Sequence, residues 1–223
     1  MGVSYVVVTR RIRNMALCIA CFIEGIYKRI SLLLKNDLAH VIFVNPEDLV
    51  SWCPSVKKSA SNLVLGGDWD TKCVPFLDMA ELCGFSKIER RSWRIATSRK
   101  KAATGISFSE TDAPYYLMKE IELFGATDGC LTREDVLLRY SILDSVAKDI
   151  SAGHFKIEGQ DALSVAIDRE GGLHVVNGGF HRLGIAQGLK LRKIPVRLAA
   201  VHKVAIRKGF YKMVVDGADK SGR

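Results

Sequence analysis

Apolar residues recur along this chain in two rhythms, and the switch from one to the other marks the elements. Leu163, Val165 and Ile167 fall at every second place, as on the buried face of a half-covered strand. Leu173 and Val175 resume the alternation after Arg169-Glu170-Gly171-Gly172, which makes a turn between two strands. A third strand is expected in KIPVRLAAV, where Ile194, Val196 and Leu198 alternate against Pro195 and Arg197. Pro195, near its start, suits the beginning or edge of a sheet. Two shorter runs read as strands as well. HVIFVNPEDLV is closed by Asn45-Pro46 with a helical turn after it, and NLVLGGDWD ends at Gly66-Gly67.

Helical spacing is clearest in the middle of the chain. Val136, Leu137, Tyr140, Leu143, Val146, Ala147 and Ile150 share one face, and Thr132 followed by Asp135 is a start signal. This helix reads as scaffold, with no chemistry on its apolar face. APYYLMKEIELFG forms a second helix, FHRLGIAQGLKL a short one closed near Gly188, and FLDMAELC a shorter one. Residues 1–40 read as largely helical after SYVVV. The stretch KIERRSWRIATSRKK has only weak helical rhythm, and KKAATGISFSETDAP after it reads as a loop. The expected class is a mixed α/β fold: a small mixed sheet with helical N-terminal and central additions. The boundaries are a helical extension at 1–40, a domain at 41–205 with a helical insertion at about 76–150, and a basic tail at 206–223.

Composition narrows the partners. Hydrophobic residues make up 48% of the 223, enough for a core and too many for general disorder. Lys and Arg number 33 against 24 Asp and Glu, which favours anionic partners: nucleotides, nucleic acid or anionic lipid. Residues 87–101 hold seven basic residues and one acidic, a net charge of +6 within the chain's +9. That stretch reads either as a solvated loop or as an anion contact, DNA phosphates included.

The six cysteines lie in apolar or mixed stretches of a chain large enough to fold without staples, so they read as reduced and mostly buried. Cys18 and Cys21 read as two positions on one buried helix face. The apolar run at 15–23 is far short of a membrane span, and Glu24 and Lys28-Arg29 follow at once. A soluble, cytoplasmic protein is expected, with peripheral membrane contact through that basic, apolar helix as the alternative.

The chemistry concentrates in NGGFHR, residues 177–182, at a strand-to-helix junction. Gly178 and Gly179 let the chain turn sharply and let an anion approach bare backbone. The helix beginning near Phe180 presents unpaired N–H groups and partial positive charge. His181 and Arg182 in its first turn read as a cationic pair that adds donors and at least one fixed positive charge, and a phosphate would satisfy all of these together. The alternative is a Gly-rich turn whose Arg182 pairs with a local carboxylate such as Asp168.

VNGGFHRLGIAQGLKLRKIPVRL resembles the signature of the ParB/sulfiredoxin-like superfamily: strand, Gly-rich turn, basic helix start, small-residue helix, then a strand beginning Ile-Pro-Val. The family's G-x-x-R element falls on Gly179, Phe180, His181 and Arg182, and the resemblance implies that nucleotide phosphates sit on this turn. VIFVNPEDLV is similar to the family's opening strand. GGDWD, RYSILDSVAKDISAG and the C-terminal block resemble a microbial ParB-like nucleotide-binding subset. That subset tends to follow its last strand with Arg-His, whereas this chain has Val201-His202. Sulfiredoxin's catalytic cysteine corresponds to Phe180, which has no thiol, so sulfiredoxin activity is not expected.

The remaining candidates are acidic. Asp68 and Asp70 flank Trp69 and could hold Mg²⁺ beside phosphates or act as a base; equally, they could cap a turn around a buried Trp69. Glu47 beside the first strand, with Asp48, is a second acidic candidate, and His202 an auxiliary one. Neither a structural zinc spacing nor a G-x-S-x-G elbow, a Walker loop or a Rossmann G-x-G-x-x-G occurs. The expected ligand is a phosphorylated small molecule or a nucleotide (ATP, ADP or CTP) with Mg²⁺, bound for phosphotransfer or hydrolysis. The alternatives are a DNA-binding ParB-type clamp without its helix-turn-helix domain, or a non-catalytic binding or scaffold protein.

Overall fold

A nine-residue strand, β7 (Ile194–His202), organises the sheet, because strands pair along both of its edges. The computed structural model describes residues 41–56, 63–82, 84–157 and 162–220. The expected N-terminal helical extension, with Cys18 and Cys21, lies outside them.

One edge of β7 is shared by two short strands. β1 (Val41–Val44) pairs antiparallel with its first half, and β3 (Leu63–Leu65) pairs parallel with its last residues. The other edge takes β5 (Ser164–Ile167) in parallel. β5 turns back through Asp168–Gly172 into β6 (Leu173–Asn177), the hairpin expected from the alternating apolar positions. Outside β6 come β2 (Ser51–Trp52), parallel to it, and β4 (Val74–Pro75), antiparallel to β2. The order is β1-β7-β5-β6-β2-β4 with β3 beside β7. A mixed sheet of this kind, with six α-helices among the described residues, is the α/β class expected.

Short 3-10 turns at Pro46–Asp48 and Met79–Glu81 stand where helical turns were expected. The helices α2 (Ala113–Phe124) and α3 (Arg133–Ser151) also follow their apolar spacing. α3 starts on the Thr132/Asp135 capping box: each side chain accepts the other's backbone N–H.

The basic stretch departs from expectation. Residues 87–104 form an 18-residue helix, α1 (Lys87–Thr104), where weak helical rhythm and a loop were expected. The start signal sits just outside the charged run. Ser86 Oγ accepts from Glu89 N–H, while Glu89 accepts from the N–H groups of Ser86 and Gly84 at 2.8 and 2.7 Å. Gly105 ends the helix in the left-handed region. The interior is polar by composition yet buried, with Ser92, Thr97 and Ser98 below 2% exposure. An apolar count therefore underestimates how much of α1 packs.

The C-terminal segment also differs from a tail. α5 (Lys203–Arg207) and α6 (Phe210–Lys220) continue the fold, and α6 packs beside β1.

α4 (Phe180–Gly188) lies between the sheet and α1, in the most extensive contact between two elements. Two glycines one turn apart allow this. A Cβ on Gly184 would strike the Ile95 carbonyl oxygen and stand 2.8 Å from Ser98 Cβ. One on Gly188 would strike the Arg99 carbonyl oxygen and stand 2.7 Å from Ala102 Cβ. Above α1 and α4 a helical core gathers Trp93, Phe108, Leu117, Tyr140 and Ile185. The opposite face of the sheet buries Cys53, Val56, Trp69, Val176 and Ala199.

Helix propensity alone favours Ala over Gly by about 1 kcal/mol in a helix interior. At Gly184 the obstacle is a backbone carbonyl, which no rotamer change can move. Gly184→Ala is expected to lower unfolding stability by about 2–3 kcal/mol, measured by urea denaturation. A stabilised variant would contradict the close approach.

Candidate functional site

β6 delivers its C-terminal end directly onto the start of α4. Gly178 and Gly179, both left-handed at φ 60° and 66°, make the turn between them. Gly179 is also held to glycine by space, because a Cβ there would sit 2.7 Å from Leu163 Cβ. As N-cap of α4 it has no side chain to cap the helix, whose first backbone bond runs from Leu183 N–H to Gly179 O.

A cavity of about 560 Å³ opens at this turn. Its lining includes all six residues singled out in the sequence: Asn177, Gly178, Gly179, Phe180, His181 and Arg182. The facing wall is α3, which contributes Leu138, Ile142 and Val146 at four-residue spacing, with Leu138 and Ile142 well exposed. The helix expected to be scaffold alone thus forms one side of the site.

The polar floor is an ion-pair network. Arg94 reaches Glu120 through both terminal nitrogens at 2.9 Å and Asp128 at 3.0 Å, and Arg139 meets Asp128 at 3.1 Å. Glu120 is fully buried and also accepts from Trp93 Nε1–H and Thr127 Oγ1–H. Asp128, itself in the left-handed region, accepts from two arginines. Burial raises its carboxyl pKa, but Arg94 and Arg139 more than offset this and hold it below the ordinary value. The charges of Arg94 and Arg139 are thereby largely balanced inside the protein.

His181 was expected to add positive charge to the turn, and here the structure corrects the sequence reading. The ring is buried, with Trp93, Phe108 and Tyr140 edge-on around it and Nδ1 2.9 Å from Ser98 Oγ. Burial pushes its pKa down to about 3 and Arg94 and Arg139 add to the shift, so it is a neutral imidazole at pH 7. Its Nε2 is buried with no hydrogen-bond partner among the described residues. Arg182 is half-buried and its Nη1 lies 3.5 Å from the Lys156 carbonyl. It does not pair with Asp168, whose Oδ2 is 2.8 Å from His174 Nε2. Phe180 turns its ring toward Phe76 and the Arg91 guanidinium, which also stacks 3.8 Å over Trp52. Cys130 lines the cleft as well, but burial pushes its thiol pKa up, which leaves it a poor nucleophile.

The acidic candidates are elsewhere. Asp70 accepts from Arg169 through Nε and Nη2, both at 2.7 Å, and from the Arg169 backbone N–H. Asp68 takes a third contact from the same guanidinium at 2.8 Å. Hydrogen bonding to Arg169 holds the Asp70 carboxyl far below the usual carboxylate range. His202 joins this cluster: Nδ1 accepts from Val204 N–H, and Nε2–H donates to the Gly67 carbonyl. Arg169 follows β5, so this clamp lies at the far end of the β5–β6 hairpin from the Gly-Gly turn. Five strand residues separate the two ends, about 17 Å. Asp68, Asp70 and His202 therefore brace the β3 loop and do not face the cleft. Glu47 is also distant, since its 3-10 turn meets Gln187 near the last residues of α4.

Sequence reasoning missed the Arg94–Glu120–Asp128–Arg139 floor, and the only local signal was an acidic residue within an apolar helix stretch. It also missed a chain from Ser51 Oγ to His174 Nδ1 at 2.6 Å and on to Asp168. Ser51 is 8% exposed, and none of these three lines the cleft. They tie β2 to the hairpin.

The basic helix is largely spoken for. Lys100 and Lys101 meet Asp112 and Asp144, Arg99 meets Gln187, and Arg90 lies over Phe124. Among the described residues no helix is long and apolar enough to cross a membrane. Comparison with known families, curated proteins and solved structures finds no match for this chain.

The depressed His181 pKa has a definite sign. The unfolded chain takes up the proton first, so stability is complete above pH ~6.5 and is lost as pH falls toward the folded pKa, by up to about 1.4 kcal/mol per unit. Between about pH 6.5 and 5 the depressed carboxylates stay ionised in folded and unfolded chains alike. Urea titrations across that interval should show falling stability, and His181→Phe should flatten the slope. An equal slope in the variant would place the titrating group elsewhere.

Proposed function

We propose that this protein binds a phosphorylated small molecule, most simply a nucleotide such as ATP, ADP or CTP, in the cleft at the start of α4. The observation that carries the reading is one cavity lined by the whole NGGFHR turn, with a buried imidazole nitrogen that lacks a partner. Phosphate oxygens would meet the helix-start amides and Arg182, and His181 would contribute a neutral hydrogen bond where a charge had been expected. The base or another apolar group would lie along Leu138, Ile142 and Val146. A volume near 560 Å³ suits a ligand of that size.

The order β6, Gly-Gly turn, α4, β7 is the one that a resemblance to the ParB/sulfiredoxin-like superfamily implies. Phe180 and the high thiol pKa of Cys130 argue against sulfiredoxin chemistry in this cleft. Among the described residues no group of three His, Cys, Asp or Glu side chains is disposed to hold a metal ion. A nucleotide's Mg²⁺ is therefore assigned no protein ligand. Asp68 and Asp70 lie outside the site, and the carboxylates that line it, Asp128 and Asp135, are engaged by arginines and by backbone N–H groups. Binding is accordingly the core of the proposal, and turnover is not part of it. The clamp reading on DNA loses support because the basic residues of α1 are mostly paired or stacked on rings within the fold.

The test is a thermal-shift panel of ATP, ADP, CTP and inorganic pyrophosphate, each with and without Mg²⁺. At least one should raise the melting temperature by several degrees at millimolar concentration. Arg182→Ala should weaken that ligand by tenfold or more, the worth of a charge-assisted hydrogen bond of about 1.5–3 kcal/mol. No shift with any of the four ligands would overturn the proposal.

A further inference from the structure

On the face of the sheet opposite α4, two cysteines stand across neighbouring antiparallel strands. β2 and β4 pair Ser51 with Pro75 and Trp52 with Val74, so the next pair in register is Cys53 with Cys73. Phe76 N–H donates to Val50 O at 2.9 Å, which makes residues 50 and 76 a hydrogen-bonded pair. By alternation, Ser51/Pro75 and Cys53/Cys73 are non-hydrogen-bonded pairs, a position that suits a proline without an N–H. Such pairs have Cα atoms about 4.5 Å apart, inside the roughly 4.4–6.8 Å that a disulfide spans.

Cys73 packs against the buried cluster that holds Cys53, whose S–H donates to the Trp69 carbonyl at 3.6 Å. Hydrogen bonding between the two thiols pushes the Cys73 pKa up and the Cys53 pKa down. Cys53 is fully buried, whereas Cys73 is half-buried at the sheet edge. We infer that Cys53 and Cys73 form an oxidative modification site, a dithiol that a peroxide converts into an intrachain disulfide stapling β4 to β2.

The chemistry balances. Cys73 sulfur, the one within reach of solvent, attacks one peroxide oxygen; the O–O bond breaks, and water leaves with the thiol proton. Cys53 sulfur then attacks the resulting sulfenic acid. The S–S bond forms, the S–O bond breaks, and a second water carries away the hydroxyl and the Cys53 proton. Two thiols are oxidised and one peroxide is reduced to two waters. The hydrogen bond to Cys53 and burial both disfavour a Cys73 thiolate, so the first step is slow. Cys53, opposite Cys73 in the strand register, is the resolving partner.

The staple would close the loop of residues 54–72. That loop carries Trp69, the Asp68/Asp70 clamp on Arg169, and β3. Closing it restricts the unfolded chain and raises the melting temperature.

The experiment uses full-length protein carrying Cys83→Ser, so that Cys73 is the only cysteine in its tryptic peptide, residues 73–87. After hydrogen peroxide and alkylation of the remaining thiols, that peptide should be joined to residues 36–57, which contain Cys53. The oxidised protein should melt several degrees above the reduced one, and dithiothreitol should reverse both changes. Cys73→Ser should abolish the shift. Separate, fully alkylated peptides, under peroxide that oxidises a small dithiol completely, would overturn the inference. So would an unchanged shift in Cys73→Ser. If Cys53→Ser fails to fold, the peptide linkage and the Cys73 variant decide the question.

Discussion

Everything at the candidate site depends on how closely α4 lies against α1. At Gly184 and Gly188 the helix backbone meets the carbonyl oxygens of Ile95 and Arg99 with no room for a methyl group. That approach sets His181 against Ser98 and brings the helix start over the Arg94 network. A helix pair held a side chain further apart would leave the imidazole exposed and protonatable. The cleft would then be another kind of site. Glycine, usually a weakness inside a helix, here determines where an ionisable ring sits.

The second constraint is the short hairpin β5–β6. Its two ends carry the two polar clusters that the sequence reading had placed in one site. One end is the Gly-Gly turn and cleft. At the other, Asp68, Asp70 and Arg169 lock the β3 loop while His202 holds the Gly67 carbonyl. Because the strands are extended, a few residues are enough to keep the clusters apart. The acidic pair is consequently engaged in structure away from the cleft, whose own carboxylates are Asp128, held by arginines, and Asp135, held by the backbone N–H groups that open α3. Electrostatics in the cleft follows the same economy. Arg94 and Arg139 are balanced by Glu120 and Asp128, which leaves oriented amides and a neutral imidazole at the start of α4.

How much could be read beforehand varied with the kind of signal. The hairpin was legible from Leu163, Val165, Ile167, Leu173 and Val175, because a period of two is set by the pleat itself. The start of α3 was legible from Thr132 and Asp135, since a capping box is a local device. α1 was not recognised, although Ser86 and Glu89 are just as local. Its buried face sets only Trp93 and Ile95 among Ser92, Arg94, Thr97 and Ser98, so no apolar rhythm announced it. The six residues of the turn line one cleft, and their grouping was legible because they are consecutive in the chain. The role given to His181 was wrong, because its protonation is decided by Trp93, Phe108, Tyr140 and Arg94, all distant in the chain.

The sequence by itself determined the local geometry. Strand alternation, helix capping and a Gly-Gly junction specify where the chain extends, coils and turns, and each depends on neighbours a few residues away. Tertiary structure alone decided which charges survive. Burial and ion pairing depend on which segments meet, and those contacts span tens of residues. Thus Arg94 became part of a closed network, His181 a neutral ring and Asp70 a clamp, while Cys53 and Cys73 came face to face across two strands.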